Sequence, residues 1–272
     1  DRVLIGGSNK EAIKMLSSIY EKWVPESKIL HTNLWSSELA KLTANAFLAQ
    51  RISSINSIAA LCESTGADIK EVSRAIGTDN RIGSKFLECG PGFGGSCFKK
   101  DILNLVYLSN HFGLPEVADF WEGVVKMNSW HQHRISRLIV QKLFGTISGK
   151  KIAILGFAFK ANTNDTRESA AIQICRDLLE EGANLIIHDP VVEKKQIEID
   201  LDKNDLSNNN EENKIISKYE GSWNYSQDIS NVFLDAHAAI ILTEWDMYSN
   251  IDWVSSSKIM KKPGWVFDSR LV

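Results

Sequence analysis

The sequence predicts an α/β protein: a nearly all-helical middle followed by a parallel sheet wound with helices. Three observations carry this. First, residues 34–144 read as helix almost throughout, and across Leu39–Cys62 only Lys41 and Arg51 are charged. Second, after Gly149 the pattern changes to short apolar runs separated by helical stretches, at 152–155, 184–190, 238–243 and 265–268. Runs of that kind are strands buried on both faces of a parallel sheet, which makes the last part Rossmann-like. Third, residues 2–7 and 28–32 bracket a helix, a strand–helix–strand unit like the tail of a doubly wound domain. The predicted domains are therefore 1–33, 34–145 and 146–272.

The totals narrow the function. With 272 residues there is room for one large domain or two ordinary ones. A composition 43% hydrophobic and 24% charged is that of a globular protein, and a net charge of −3 gives no general attraction to nucleic acid or anionic membrane. No apolar run reaches the length of a membrane span and no signal peptide is visible. The cysteines Cys62, Cys89, Cys97 and Cys175 show no C-x-x-C pairing. No metal site is expected, and so few thiols fit a reducing cytoplasm.

Taken in order, residues 2–7 form a strand ending in a glycine turn. Ser8 is the expected cap of a helix to about Trp23, with Ala12, Met15, Leu16 and Ile19 as its apolar stripe and Pro25 beyond its end. The helix from about Ser36 to Ser64 is too apolar for a surface helix. Lys41 and Asn45 are four apart and share one of its faces. Two readings stand there: a snorkelling lysine beside a satisfied asparagine, or two donors aimed at one ligand oxygen. A short helix over 69–76 and a polar turn over 77–83 lead to Gly90-Pro91-Gly92-Phe93-Gly94-Gly95-Ser96-Cys97-Phe98-Lys99-Lys100-Asp101.

That stretch is the chemical centre. Its glycines allow positive φ and close approach to a ligand. From Phe98 the spacing of Ile102, Leu105, Val106 and Leu108 is helical, which puts Cys97 at a helix N-terminus, where a thiolate is favoured. Asp101 follows one turn on. Covalent catalysis by Cys97 and a small buried thiol beside a connecting loop are the two readings of the residues alone. Beyond it come a helix from 116 to about 144, a linker over 145–149, and the strands named above with a helix over 170–181. Phe159, Lys160, Arg167, Asp268 and Arg270 fall just after strand ends, where ligands of such sheets bind. The strand at 152–155 is followed by Gly156-Phe157-Ala158-Phe159, so no complete G-x-G-x-x-G fingerprint closes it. Residues 204–213 are polar and of low complexity, a surface insertion.

These blocks together resemble the UDP-glucose/GDP-mannose dehydrogenase family, in its eukaryotic type. The residues are Gly92–Phe98 with Lys100-Asp101, Trp35–Lys41 through Asn45–Arg51, Gly156–Lys160 with Asp165–Ser169, Thr243–Asp246, and Phe267-Asp268-Ser269-Arg270. The resemblance implies NAD-dependent four-electron oxidation of UDP-glucose to UDP-glucuronate through a thiohemiacetal and then a thioester on Cys97. It implies that Lys41 and Asn45 stabilise the oxyanion and that Asp101 handles the water. Arg81, Phe86, Leu87, Gly92, Phe93, Gly94, Phe98, Phe159, Lys160 and Arg270 would contact the nucleotide-sugar, Arg81 from a neighbouring subunit. Lys100 and Arg167 would contact NAD. The long helix would pair subunits into a homodimer, with assembly to hexamers left open. Ser269 departs from the family's glycine at that position. Residues 1–33 correspond to the last part of an N-terminal NAD-binding domain whose remainder does not occur in the sequence. The chain taken alone is accordingly expected to have little dehydrogenase activity and the full-length protein to be active. Oxidation of a UDP-N-acetyl sugar or of GDP-mannose is the alternative reaction. A UDP-sugar-binding and dimerisation module without catalysis is the alternative for the chain by itself.

Overall fold

The computed structural model describes residues 2–202 and 219–272, so the polar 204–213 stretch lies outside the described residues. The elements run β1 (Val3–Gly6), α1 (Lys10–Tyr20), β2 (Ile29–Thr32), α2 (Leu34–Thr65), α3 (Ile69–Gly77), α4 (Phe98–His111) and α5 (Pro115–Lys142). Then follow β3 (Lys151–Leu155), α6 (Ala170–Glu180), β4 (Asn184–His188), α7 (Lys194–Asp202), β5 (Ser222–Tyr225), α8 (Ile229–Val232), β6 (Ala238–Ile241), α9 (Asp246–Ser249), α10 (Trp253–Ile259) and β7 (Trp265–Asp268). The α/β class, with a helical middle and a parallel sheet after it, is the one the sequence predicts. The chain divides into two compact units, Asp1–Leu48 with Lys100–Glu122, and Ala49–Lys99 with Gly123–Val272.

In the first unit β1 and β2 pair in parallel, Val3 opposite Ile29, with α1 as their crossover. The cap of α1 is Asn9, not Ser8: its Oδ1 accepts from the amides of Glu11 (2.9 Å) and Ala12 (3.0 Å). The asparagine wins because it stands one residue before the first helical turn, where a short acceptor reaches the free N–H groups. Ser17 of α1 and His31 of β2 share a hydrogen bond of 2.7 Å. Asn33 caps α2 by accepting from the amide of Ser36 at 2.8 Å.

The second unit contains a five-stranded, all-parallel sheet in the order β5-β4-β3-β6-β7. Counted from β3, this is 3-2-1-4-5, five of the six strands of the dinucleotide-type order 3-2-1-4-5-6, with its switch point between β3 and β6. Ile152, Ala153, Ile154 and Leu155 are fully buried, as are Ala238, Ala239 and Ile240. Both central strands are covered on two faces, hence their uninterrupted apolar sequence. Each large side chain buried this way contributes about 1.5–3 kcal/mol. Ala171, Ile174, Leu178 and Leu179 of α6, Ile139 of α5 and Leu143 just beyond it complete the core. β5 escapes the sequence reading: Ser222-Trp223-Asn224-Tyr225 alternates between exposed and half-buried positions on the sheet edge.

Candidate active site

In the second unit, the glycine loop is held by side chains from two helices. Asn56 of α2 accepts from the Gly90 amide at 2.9 Å, and His131 Nε2 of α5 lies 3.0 Å from the Gly90 carbonyl. A carbonyl only accepts, so Nε2 carries the proton of His131. Burial, the largest influence, lowers the pKa of this histidine and keeps it neutral. Asn128, also on α5, accepts from the Phe93 amide at 2.9 Å and donates to the Phe93 carbonyl at 3.1 Å. Downstream, the Gly95 amide donates to the Arg167 carbonyl at 2.8 Å. Gly94 tolerates no side chain, because a Cβ there would stand 2.4 Å from the Glu168 carbonyl oxygen. Cys97 is exposed at the residue before α4, with the Ser96 hydroxyl 3.7 Å from its sulfur. Phe98 packs edge-on against Phe93 at 5.9 Å, and Lys99 pairs with Glu168 at 2.9 Å.

The first unit gathers three of the expected residues. Lys41 Nζ and Asn45 Nδ2, one turn apart on α2, both donate to one oxygen, Asp101 Oδ2, the Asn45 contact being 2.5 Å. Asp101 lies in the first turn of α4 and is buried, while the Lys41 side chain is 59% exposed. The donors thus converge on a single oxygen atom, here a carboxylate's. Exposed Lys100 precedes Asp101 in the same turn.

A cleft of about 580 Å³ in the second unit is lined by Ser84, Phe86, Gly90, Gly92, Glu244 and Arg270, among others. Phe86 sits at φ 62°, a conformation bulky residues rarely adopt and one that collects at ligand sites. Leu87 is buried beside it, its carbonyl accepting from the Ser73 hydroxyl at 2.8 Å. Arg270 donates from Nε to the Leu242 carbonyl (2.9 Å) and from Nη2 to the Phe159 carbonyl (3.2 Å), and pairs with Glu244 at 3.1 Å. Burial lowers its pKa, against the opposing pull of Glu244. It stays a cation poised over the cleft, where an anionic ligand would be paired with it. The Lys160 ammonium lies 5.4 Å from the centre of the Phe159 ring. Arg81 is bound to Asp79 (2.6 Å) and Arg167 to Asp165 (2.7 Å), both arginine side chains exposed.

The loop after β3 answers whether this sheet cradles a dinucleotide. Such loops bind pyrophosphate through free backbone N–H groups. Here the amides of Phe157 and Ala158 donate to Asp189 Oδ2 at 2.8 and 3.1 Å, and Trp245 Nε1 joins them at 3.3 Å. The other oxygen of Asp189 accepts from the amides of Val191 and Val192. Gly156, at φ 94°, lies so close to Thr243 that a Cβ would meet its side chain at 2.4 Å. The anion site of this loop is filled by the protein's own carboxylate, and these residues do not fit a dinucleotide pyrophosphate. Among the described residues no cluster of three or more His, Cys, Asp or Glu could hold a metal, and no helix is long and apolar enough to cross a membrane.

Sequence reasoning missed Asn56, Asn128, His131, Asp189 and Glu244. The available signal was polar residues on helical faces that are otherwise apolar: Asn56, Asn128 and His131 are all buried. Buried polar groups need partners, and these find theirs in the glycine loop.

A Rossmann-type α/β domain preceded by a helical segment with a glycine loop is the class that this sheet and loop define. Residues 35–130 match the central-domain model of the UDP-glucose/GDP-mannose dehydrogenase family, and residues 153–272 match that family's UDP binding domain. The chain belongs to the UDP-glucose/GDP-mannose dehydrogenase family. It is 54% identical to the UDP-glucose 6-dehydrogenase of Gallus gallus, an alignment covering 100% of this chain and 54% of that protein. With the UDP-glucose 6-dehydrogenase of Drosophila melanogaster the identity is 52%, over 100% of this chain and 57% of the relative. The solved structure of a UDP-glucose dehydrogenase from the hyperthermophilic archaeon Pyrobaculum islandicum superposes with a TM-score of 0.82 at 29% identity, over 99% of this chain and 55% of that one. The chain spans about half the length of the curated relatives it matches.

Proposed function

We propose that the protein to which this chain belongs oxidises UDP-glucose to UDP-glucuronate, with NAD as hydride acceptor and Cys97 as nucleophile. The observation that carries this reading is the convergence of Lys41 and Asn45 on one oxygen, in a chain whose relatives are UDP-glucose 6-dehydrogenases. Two donors fixed on one atom are what a developing oxyanion requires. In this reading NAD, when bound, supplies the hydride acceptor twice, for the C6 alcohol and then for the thiohemiacetal formed when Cys97 Sγ attacks the resulting aldehyde, which leaves a thioester, while Lys41 and Asn45 hold the oxyanion. Asp101 then accepts a proton from the water that releases the acid from the thioester. The diphosphate and sugar are assigned to the cleft of Phe86, Leu87 and Gly92–Gly94, with Phe98, Phe159, Lys160 and Arg270, and to Arg81 of a second copy. Lys100 and Arg167 are assigned to NAD. The loop after β3, occupied by Asp189, is not the part assigned to NAD.

The segment 34–145 is assigned to dimerisation and chemistry and 146–272 to the UDP-sugar, in a cytoplasmic setting. The test is Cys97→Ala in the full-length protein. UDP-glucuronate formation, followed by NADH absorbance and product chromatography, is expected to vanish while UDP-glucose still binds. Turnover at the unsubstituted rate would remove Cys97 from the mechanism.

A further inference from the structure

We propose that Asn128 is a positioning residue for Cys97, locking the nucleophile's loop into one backbone conformation from its seat on α5. The proposal rests on the reading of Cys97 as nucleophile. Asn128 is 7% exposed, and its amide engages both main-chain groups of one residue, the N–H and C=O of Phe93. A side-chain amide used this way imitates a neighbouring strand and fixes the peptide planes on both sides of Phe93. The grip is shaped to the loop as well. Gly92 is at φ 128°, and the Asn128 oxygen stands 2.8 Å from where a Cβ on Gly92 would be.

Three residues, Gly94, Gly95 and Ser96, separate Phe93 from Cys97. Glycines have the most conformational freedom to lose, so an unclamped stretch of this composition would sample many paths. Two anchors remove that freedom: Asn128 at Phe93 and the Arg167 carbonyl at Gly95. Asn56 and His131 hold Gly90 upstream, so the loop is tied to helices before and to a turn after its glycines. Misplacing a nucleophile by about 1 Å can cost on the order of 10²-fold in rate. Asn128 touches no reacting atom in this scheme; it acts through Phe93.

The test pairs turnover with exchange. In the full-length protein, Asn128→Ala is expected to lower kcat by roughly 10- to 100-fold. UDP-glucose affinity, measured by calorimetry, should fall by a clearly smaller factor than kcat, because the cations assigned to the diphosphate are untouched and only the 92–94 backbone is loosened. In the 272-residue chain the same substitution should speed amide hydrogen exchange across residues 92–97 and leave α6 unchanged. Should Asn128→Ala not fold, Asn128→Asp keeps the size but sets an oxygen against the Phe93 carbonyl, with the same expected split. Wild-type kcat in a folded variant overturns the proposal, as does unchanged exchange at 92–97. Equal losses of kcat and affinity overturn it too. If the unsubstituted full-length protein does not turn over UDP-glucose, the functional reading fails, while the exchange arm still decides whether Asn128 holds the loop.

Discussion

Lys41, Asn45 and Asp101 show how two donors can be held ready without being used up. Both donors rest on a carboxylate oxygen, and the lysine keeps more than half its side chain in solvent. A substrate oxygen that displaces Asp101 Oδ2 would inherit two hydrogen bonds and leave a carboxylate free to take a proton. Asp101→Ala in the full-length protein is therefore expected to reduce kcat by about 10²- to 10⁴-fold, the span of general base catalysis, in an NADH-release assay. A fall of less than about threefold would separate Asp101 from the proton transfer. At this scale the sequence is half transparent. The four-residue spacing of Lys41 and Asn45 exposes their common face. Nothing in spacing reveals that the oxygen they meet belongs to a residue 56 positions after Asn45. Asn128 stands out only as a polar residue on an apolar helical face; its partner, a backbone, leaves no mark on residue type.

Among elements, the long helices and central strands are readable because burial on several sides demands uninterrupted apolar sequence. The edge strand β5 and the one-turn helices α8 and α9 are not, since four residues carry too little periodicity to be distinguished from a loop. Two histidines set an acid limit on how these elements hold together. His131 on α5 and His188 at the end of β4 both have pKa values lowered from 6.5, burial being the largest cause in each. His188 Nδ1 lies 2.9 Å from the Tyr248 hydroxyl, which itself donates to the His188 carbonyl. Each histidine is neutral when folded and takes up a proton near 6.5 when unfolded. Stability is thus intact above about pH 6.5 and falls as the pH drops from there to the lowered folded pKa. Asp165 acts in a lower window: Arg167 lowers its pKa from 3.8, so its contribution is present above that value and is lost below it. Urea midpoints for the second unit are expected to decline between about pH 6.5 and 5, before Asp165 titrates. A flat profile there would show that neither histidine is coupled to unfolding.

For the whole molecule, the first unit leaves Leu39, Phe47 and Phe120 more than 40% exposed, with Trp121 tilted against Phe47 and edge-on to Phe120. Aromatic surface of this kind suits a second copy of the chain. Sedimentation should therefore give a mass of two chains or a multiple, and Phe47→Asp should shift it toward one. A monomer before substitution would exclude the proposed pairing and the role of Arg81 across subunits. Asp189 bears on a different question, how the second unit behaves in a cell full of phosphate. Its carboxylate is tethered to the loop it serves, so its effective concentration there exceeds that of any dissolved anion. The fold retains the shape of a phosphate receptor but is permanently self-inhibited at that point. Dissolved phosphate meets an occupied seat there, since the loop's amides already donate to Asp189.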